Sequence, residues 1–214
     1  DTNRSLKQLN TPAAGRFRIA APTALGLSLI APAIADFMAG QPNVVIQLDL
    51  LDRTIDLVEE DYDMALRIGE TPESTPYLLS LGQMEVGLFS SPAYLARHGR
   101  PRGPADLGTH RALYLASQQN WNLRGGLGEK PKPQFCSNRL EALKILCLAG
   151  QGIALLPLFL VRGEIESDQL VQLLDGFEPK PLDLVLTTSP QRSETNSSRL
   201  FQQFLELRFK RLRF

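Results

Sequence analysis

The stretch of residues 44–69, VVIQLDLLDRTIDLVEEDYDMALRIG, constrains the fold of this chain more than any other. Val44, Ile46, Leu48 and Leu50 alternate with the polar Gln47 and Asp49, a period of two that turns one face of a strand into a core. Asp52, Arg53 and Thr54 break the alternation, and the side-chain oxygens there can cap a helix. Ile55, Leu57, Val58 and Tyr62 then fit a short helix with Glu59, Glu60 and Asp61 on its other face. Met64, Leu66 and Ile68 mark a second strand that stops at Gly69. Strand, short helix and strand in so few residues predict a right-handed crossover unit of a parallel sheet. Such sheets bind small ligands beyond the carboxyl ends of their strands, which here are residues 51–53 and 67–69.

The 214 residues suffice for one large or two small domains. A hydrophobic fraction of 43%, with 21% charged residues, is ordinary for a soluble globular chain. The formal net charge of zero argues against a polyanion-binding surface. No run of roughly 20 apolar residues suggests a membrane span, and the first residues lack the apolar stretch of a secretion signal. Cys136 and Cys147 fall at a strand end and inside a helix, and are expected as buried, reduced thiols rather than a disulfide. Neither they nor His98 and His110 have metal-ligand spacing, so no metal or cofactor is expected. Both histidines stand in turn-like sequence and are expected to be exposed and structural. The acidic run Asp52, Asp56, Glu59, Glu60, Asp61 and Asp63 matches no calcium loop and reads as a solvated face.

Along the chain, residues 5–9 are weakly helical, and residues 16–21 (RFRIAA) form a strand ended by Pro22. Thr23 can cap a helix carrying Leu29, Ile30, Ala33, Ile34, Phe37 and Met38 at helical spacing, with Pro32 either starting its regular part or kinking it. Residues 81–89 read as a strand. Ser91 and Pro92 start a helix that Gly99 stops, and one helical turn is placed at 105–107. Residues 112–116 form a short strand, and an irregular segment containing Trp121 follows. A strand at 134–136 leads to a capping box of Asn138 and Glu141 before a helix buried through Leu140, Leu143, Ile145, Leu146 and Leu148. Strands at 153–156, 170–174 and 182–188 frame another helix begun by Pro157. A last helix, capped by Ser197 or Ser198, turns Leu200, Phe204, Leu205 and Leu207 inward. It ends in Arg208, Lys210, Arg211 and Arg213, cations suited to the negative end of the helix dipole.

The runs GRFRIAAP at 15–22, PAIADFMAGQPNVVIQLDLLDR at 32–53 and DLVEEDYDMALRIG at 56–69 closely resemble the effector-binding region of LysR-type transcriptional regulators. SSPAYLARHGRP at 90–101, ADLGTHRAL at 105–113, Trp121, and SNRLEALKILCLAGQGIALLPLFLV at 137–161 continue the resemblance in order, so that it covers about residues 15–210. It implies an α/β fold similar to type 2 periplasmic binding proteins, with two α/β subdomains joined by two crossing strands near 84–89 and 184–188. Subdomain I is then expected at 15–86 plus 187–214, and subdomain II at 87–186. Residues 1–14 read as the end of a linker region, and the family's N-terminal DNA-binding domain is absent from this chain.

In the family, turns at helix N-termini hold a small effector, because unpaired N–H groups and the dipole's positive end attract an anion. The candidate effector-binding residues are Thr23, Ala24, Leu25, Gly26, Asp52, Arg53, Thr54, Arg67, Ser90, Trp121, Ser137, Asn138 and Thr187. Thr23, Thr54 and Asn138 have the alternative of being only helix caps. Arg67, in the family's RIG segment, either meets the ligand or pairs with Asp52 or Asp63. Trp121 either closes over the ligand or fills the core of subdomain II. Ala24 departs from the Ser of many members. The expected function is sensing of a small effector, a carboxylate-bearing metabolite, in the inter-subdomain cleft. The signal is relayed through the geometry of a homodimer or homotetramer, packed by the apolar faces of 29–38 and 140–148. DNA is met only through the missing domain, in the cytoplasm and with no membrane partner. A solute-binding transport protein is the alternative. An enzyme is not expected, because no acid/base or nucleophilic constellation is visible.

Overall fold

Strand β1 (Ala14–Ala21) lies inside the first sheet, and its neighbours follow from the alternation read above. In a computed structural model describing residues 13–69, 78–118, 120–126, 130–189 and 196–210, β1 pairs in parallel with β2 (Asn43–Leu50) on one side and β3 (Met64–Ile68) on the other. β2 and β3 are thus not neighbours; the segment between them crosses over β1. With β4 (Leu78–Met84) and β10 (Leu182–Thr188) the sheet order is β2-β1-β3-β10-β4, and β10 runs antiparallel to β3. The described residues divide into two units, one reaching Gln83 and resuming at Asp183, the other spanning Met84–Leu182.

In the first unit, Phe17 and Ile19 of β1 point to one face, under helix α1 (Thr23–Gly40) and helix α5 (Asn196–Phe209). Phe201 of α5 packs 5.5 Å from Phe17 and 5.0 Å, edge-on, from Phe37. By length and hydropathy α1 would suffice to cross a membrane. Here it is a core helix, with Leu25, Ile30, Ala33 and Phe37 buried. Pro32 lacks an N–H and crowds the carbonyl four residues back. The helix widens to a π-type turn over Gly26–Ile30, where the Ala31 N–H reaches the Gly26 carbonyl, and regular helix runs over Ala31–Gly40. In α5 Ser197, Ser198, Leu200, Phe201, Leu205 and Phe209 are buried, so Leu200 and Leu205 face inward as expected while Phe204 and Leu207 are only half-buried. Arg208 pairs with Asp36 and Lys210 with Glu206 at 2.6 Å. The expected helix at 5–9 and the cations Arg211 and Arg213 lie outside the described residues.

The short helix expected at 55–62 is absent. Residues 57–61 form successive turns instead, closed by Tyr62 N–H to the Leu57 carbonyl at 2.9 Å and by Asp61 at φ +63°. The reason is local: Asp56 Oδ1 accepts from the N–H groups of Val58 (2.8 Å) and Glu59 (3.0 Å) as a helix cap would, but the left-handed Asp61 closes the chain after a single turn, before a helix can extend. Thr54 therefore caps no helix.

The second sheet has the order β7-β6-β8-β5-β9, from β5 (Val86–Ser90), β6 (Arg111–Leu115), β7 (Lys132–Ser137), β8 (Ile153–Pro157) and β9 (Val171–Leu173). β6 runs parallel to both β7 and β8, while β5 is antiparallel to β8 and β9. The strand expected at 81–89 is two strands broken at Glu85. β8 is buried at every position, which explains its continuous apolar run: both faces are covered. One face meets Trp121, Tyr94 and Leu107. Helix α3 (Leu140–Leu148) packs against β5, β6 and β8, and helix α4 (Leu158–Glu166) against β8. Helix α2 (Pro92–His98) begins as read, with Ser91 at its cap and Gly99 at φ +79° after its last turn. The helical turn near 105 is a 3-10 helix over Pro104–Thr109.

Expectations for this unit are corrected at three residues: Ile145, expected on the buried side of α3, is 63% exposed, and one cysteine and one histidine also differ. Cys147 is buried, its thiol donating to the Phe89 carbonyl at 3.2 Å and its pKa pushed up by burial to about 12, but Cys136 is exposed on edge strand β7. His98 is exposed as expected, whereas His110 is only 4% exposed. Its Nδ1 lies 3.2 Å from the Tyr94 hydroxyl, which also accepts the Arg111 N–H at 2.9 Å.

Burial first, and the neighbouring His98 second, push the His110 pKa below its ordinary value. Below about pH 6.5 the unfolded chain takes up a proton that the folded chain refuses, so stability falls on acidification and rises with pH. Melting temperatures between about pH 7.5 and 5.5 should show this slope, and His110→Asn should flatten it. A Cβ at Gly152 would lie 2.7 Å from the Arg111 carbonyl oxygen, a backbone atom unable to move alone. Gly152→Ala should cost about 1–3 kcal/mol in urea unfolding.

Candidate effector site

In the first unit the carboxyl ends of β1, β2 and β3 lie side by side, because Ala21 is in register with Leu50 and the Leu51 N–H donates to the Ala21 carbonyl at 2.9 Å. β1 runs directly into α1, whose cap is Pro22 and not Thr23. Proline has no side-chain acceptor, so the capping anion comes from elsewhere. The Thr23 N–H donates to Asp52 Oδ1 and the Thr23 hydroxyl to Asp52 Oδ2, both at 2.8 Å. A carboxylate at the positive end of a helix dipole is stabilising, and the chain supplies its own.

Behind Thr23 the helix closes on the sheet. Ala24 and Leu25 are buried, and a Cβ on Gly26 would lie 2.2 Å from Leu50 Cδ2. These three residues can offer a ligand backbone atoms and little else. Arg53 is exposed and bound to both oxygens of Glu60, with a further bond to the Thr54 carbonyl at 3.3 Å. Arg67, half-buried at the end of β3, donates to the Ile55 carbonyl at 2.9 Å. It pairs with neither Asp52 nor Asp63: the first holds Thr23, and the second accepts the Arg18 N–H at 2.7 Å. Among the described residues Arg67 has no carboxylate partner. Thr187 lies opposite Ala65 on β10, buried, with its hydroxyl donating to the Ala65 carbonyl at 3.1 Å.

A second cluster, invisible in the reading by motifs, shapes the loop that carries these groups. Arg18 on β1 donates to Asp49 Oδ2 at 2.9 Å, stacks 4.5 Å over the Tyr62 ring, and reaches the carbonyls of Glu60 and Asp61. The Tyr62 hydroxyl donates to the same Asp49 oxygen at 2.8 Å. Burial opposes ionisation of Asp49, but the hydrogen bonds from Arg18, Tyr62 and Gln47 outweigh it and hold the pKa below the ordinary value. The signal was present as polar residues alternating on two adjacent strands, Arg16 and Arg18 beside Gln47 and Asp49.

In the second unit Ser137 ends β7, half-buried, and its Oγ accepts the Arg139 N–H at 3.1 Å. Asn138 is exposed, and α3 starts at Leu140 with Arg139 as its cap and no side-chain cap bond. The Asn138–Glu141 capping box is therefore not formed: the chain enters the helix one residue late, and Ser137 closes the turn. Ser90 is fully buried, its hydroxyl donating to the Gly152 carbonyl at 2.9 Å. Trp121 is 1% exposed and packs 5.2 Å from Tyr114, so of its two readings the structure shows the core. Ser90, Trp121 and Thr187 thus present no side-chain group to a ligand in this structure. Among the described residues no group of three or more His, Cys, Asp or Glu could hold a metal ion.

A fold of two mixed sheets flanked by helices, with small polar residues gathered at parallel-strand ends, is the type 2 periplasmic-binding-protein-like class of ligand-sensing domain. The LysR substrate binding domain model matches residues 10–210, and the chain belongs to that family. It is 33% identical over 190 residues to an HTH-type transcriptional regulator of Haemophilus influenzae, covering 86% of this chain and 66% of that protein. To an HTH-type transcriptional regulator of Xanthomonas campestris it is 28% identical over 218 residues, covering 97% of this chain and 63% of that protein. The chain thus spans about two thirds of the length of these relatives. Its fold is similar to the regulatory domain of CrgA, a LysR-type transcriptional regulator from Neisseria meningitidis (TM-score 0.82, 28% identity, 92% of this chain and 99% of that one). The relatives are transcriptional regulators rather than enzymes, and the transport reading is not favoured.

Removing the carboxylate that caps α1 tests the local account. Asp52→Ala should cost about 0.5–2 kcal/mol in chemical unfolding, as other helix caps do.

Proposed function

We infer that this effector-binding domain senses a small carboxylate-bearing metabolite in the cleft that the family's fold forms between its two subdomains. One observation carries the choice of a carboxylate. Arg67 is a half-buried guanidinium at the end of β3, satisfied in part by a carbonyl and lacking an anion. Planar, bidentate recognition of a carboxylate is what a guanidinium does best. Thr23 and Thr54 stand at the strand ends of the same unit, where Asp52 already occupies the α1 terminus, and Ser137 and Asn138 are the second unit's contribution to the proposed site. The effector's second polar group therefore meets Asp52 as a hydrogen-bond donor. The ligand acts by differential affinity for two arrangements of the regulator. The change passes through a homodimer or homotetramer to DNA-binding heads in a longer cytoplasmic protein.

The self-association surface is supported by exposed apolar side chains, of which Met38 and Ile145 fall on the expected faces of 29–38 and 140–148 and Leu27 and Val45 lie outside them. Leu27 and Met38 on α1, Val45 on edge strand β2 and Ile145 on α3 are 55%, 42%, 56% and 63% exposed. Ile145→Glu should shift light scattering from dimer to monomer while leaving the melting temperature close to wild type.

The effector proposal is tested by thermal shift against small organic acids. A ligand at about one hundred times its dissociation constant stabilises by roughly 2.7 kcal/mol. Arg67→Gln and Asn138→Ala should each abolish most of the shift, and Lys210→Ala should keep it. Shifts unchanged in both site variants would contradict the proposal.

A further inference from the structure

The second unit holds a cavity of about 240 Å³, lined by residues of that unit alone. At roughly 30 Å³ per water this is space for about eight water-sized groups, the scale of a small metabolite. Phe89, Leu158, Pro179 and Pro181 supply apolar wall, and Gly87 keeps the floor open, since a Cβ there would lie 3.2 Å from the Phe89 ring. Two opposite charges also line it, the Glu85 carboxylate and the Arg124 guanidinium. They form no ion pair with each other, and neither side chain is hydrogen-bonded to any described residue. The other acidic wall residue is already committed: Glu178 Oε1 accepts from Gln172 Nε2 at 3.3 Å and Oε2 from the Gly176 N–H at 2.9 Å.

We propose that this cavity is a second ligand site, selective for a small α-amino acid with an apolar side chain. One cavity that offers an unmatched carboxylate, an unmatched guanidinium and an apolar wall is complementary to a zwitterion carrying a hydrocarbon group. An ammonium matches Glu85, a carboxylate matches Arg124, and the side chain replaces water against Phe89 and the prolines. A purely acidic ligand would leave Glu85 facing an anion, and a neutral apolar one would leave both charges unmet. The site is separate from the strand ends of the first unit and does not depend on the effector proposed there.

Calorimetric titration of the whole chain with L-valine, L-leucine, L-methionine and L-phenylalanine tests this. At least one should bind saturably at a single site. Glu85→Gln and Arg124→Gln, both changes at exposed positions, should each weaken that binding roughly tenfold or more. The N-acetyl and carboxamide derivatives of the bound amino acid, each lacking one charge, should weaken it similarly, and Arg67→Gln should leave it unchanged. Absence of saturable binding by all four, or binding that survives both charge variants, would overturn the site. So would binding lost in Arg67→Gln, because the molecule would then sit at the strand ends of the first unit.

Discussion

The register of three parallel strands decides how the strand ends of the first unit are built. With Ala21 beside Leu50, and the Leu51 N–H closing on the Ala21 carbonyl, the residues leaving β1 and β2 have nowhere to go but against each other. Asp52 then falls within reach of both the N–H and the hydroxyl of Thr23. That contact caps α1, ties the loop after β2 to the helix after β1, and sets a negative charge at the positive end of the helix dipole. Without that contact α1 would start with a proline cap and an unmet N–H, and residues 51–54 would lose one of their anchors.

The loop from 51 to 63 is held at its other end by the Arg18, Asp49 and Tyr62 cluster, and in its middle by the double contact of Arg53 with Glu60. Most cations near the strand ends are thereby matched: Arg18 by Asp49, Arg53 by Glu60. Arg67 is the exception among them, and in the second unit Arg124 and Glu85 are exceptions of the same kind. Lys144 shows the contrasting case, bound to Glu164 at 2.8 Å between α3 and α4. Charges whose neighbours leave them unmatched are the ones on which the proposed sites of the two units rest.

Much of this was legible from residue order. The strand at β1 ended by Pro22, the alternation in β2, the Ser91–Pro92 start and Gly99 stop of α2, and the continuous apolar β8 all report local rules that tertiary contacts do not override. The failures share a cause. Residues 55–62 have a helical apolar pattern, but the left-handed Asp61 and the Tyr62 N–H bonded to the Leu57 carbonyl end the turn that Asp56 starts. Thr23 and Asn138 look like caps, yet the caps are Pro22 and Arg139, because residues distant or adjacent supply the bonds instead. Ser90 and Thr187 look like available hydroxyls and are consumed by carbonyls of neighbouring segments. In α5 Leu200 and Leu205 are buried as expected, but the face also takes in Phe201, which meets Phe17 and Phe37. Motifs show which polar groups stand near strand ends; only the packed structure shows which of them are spent.

The central claim is that the strand ends of the first unit, with Arg67 as their open cation, receive the carboxylate of the effector. Amide hydrogen exchange, read by mass spectrometry with and without a bound carboxylate ligand, addresses it most directly. The account predicts slowed exchange in peptides covering residues 22–26, 52–55 and 137–140 together, with the rest of α1 unchanged. Protection confined to other segments, with these three unaffected by a ligand that demonstrably binds, would contradict it.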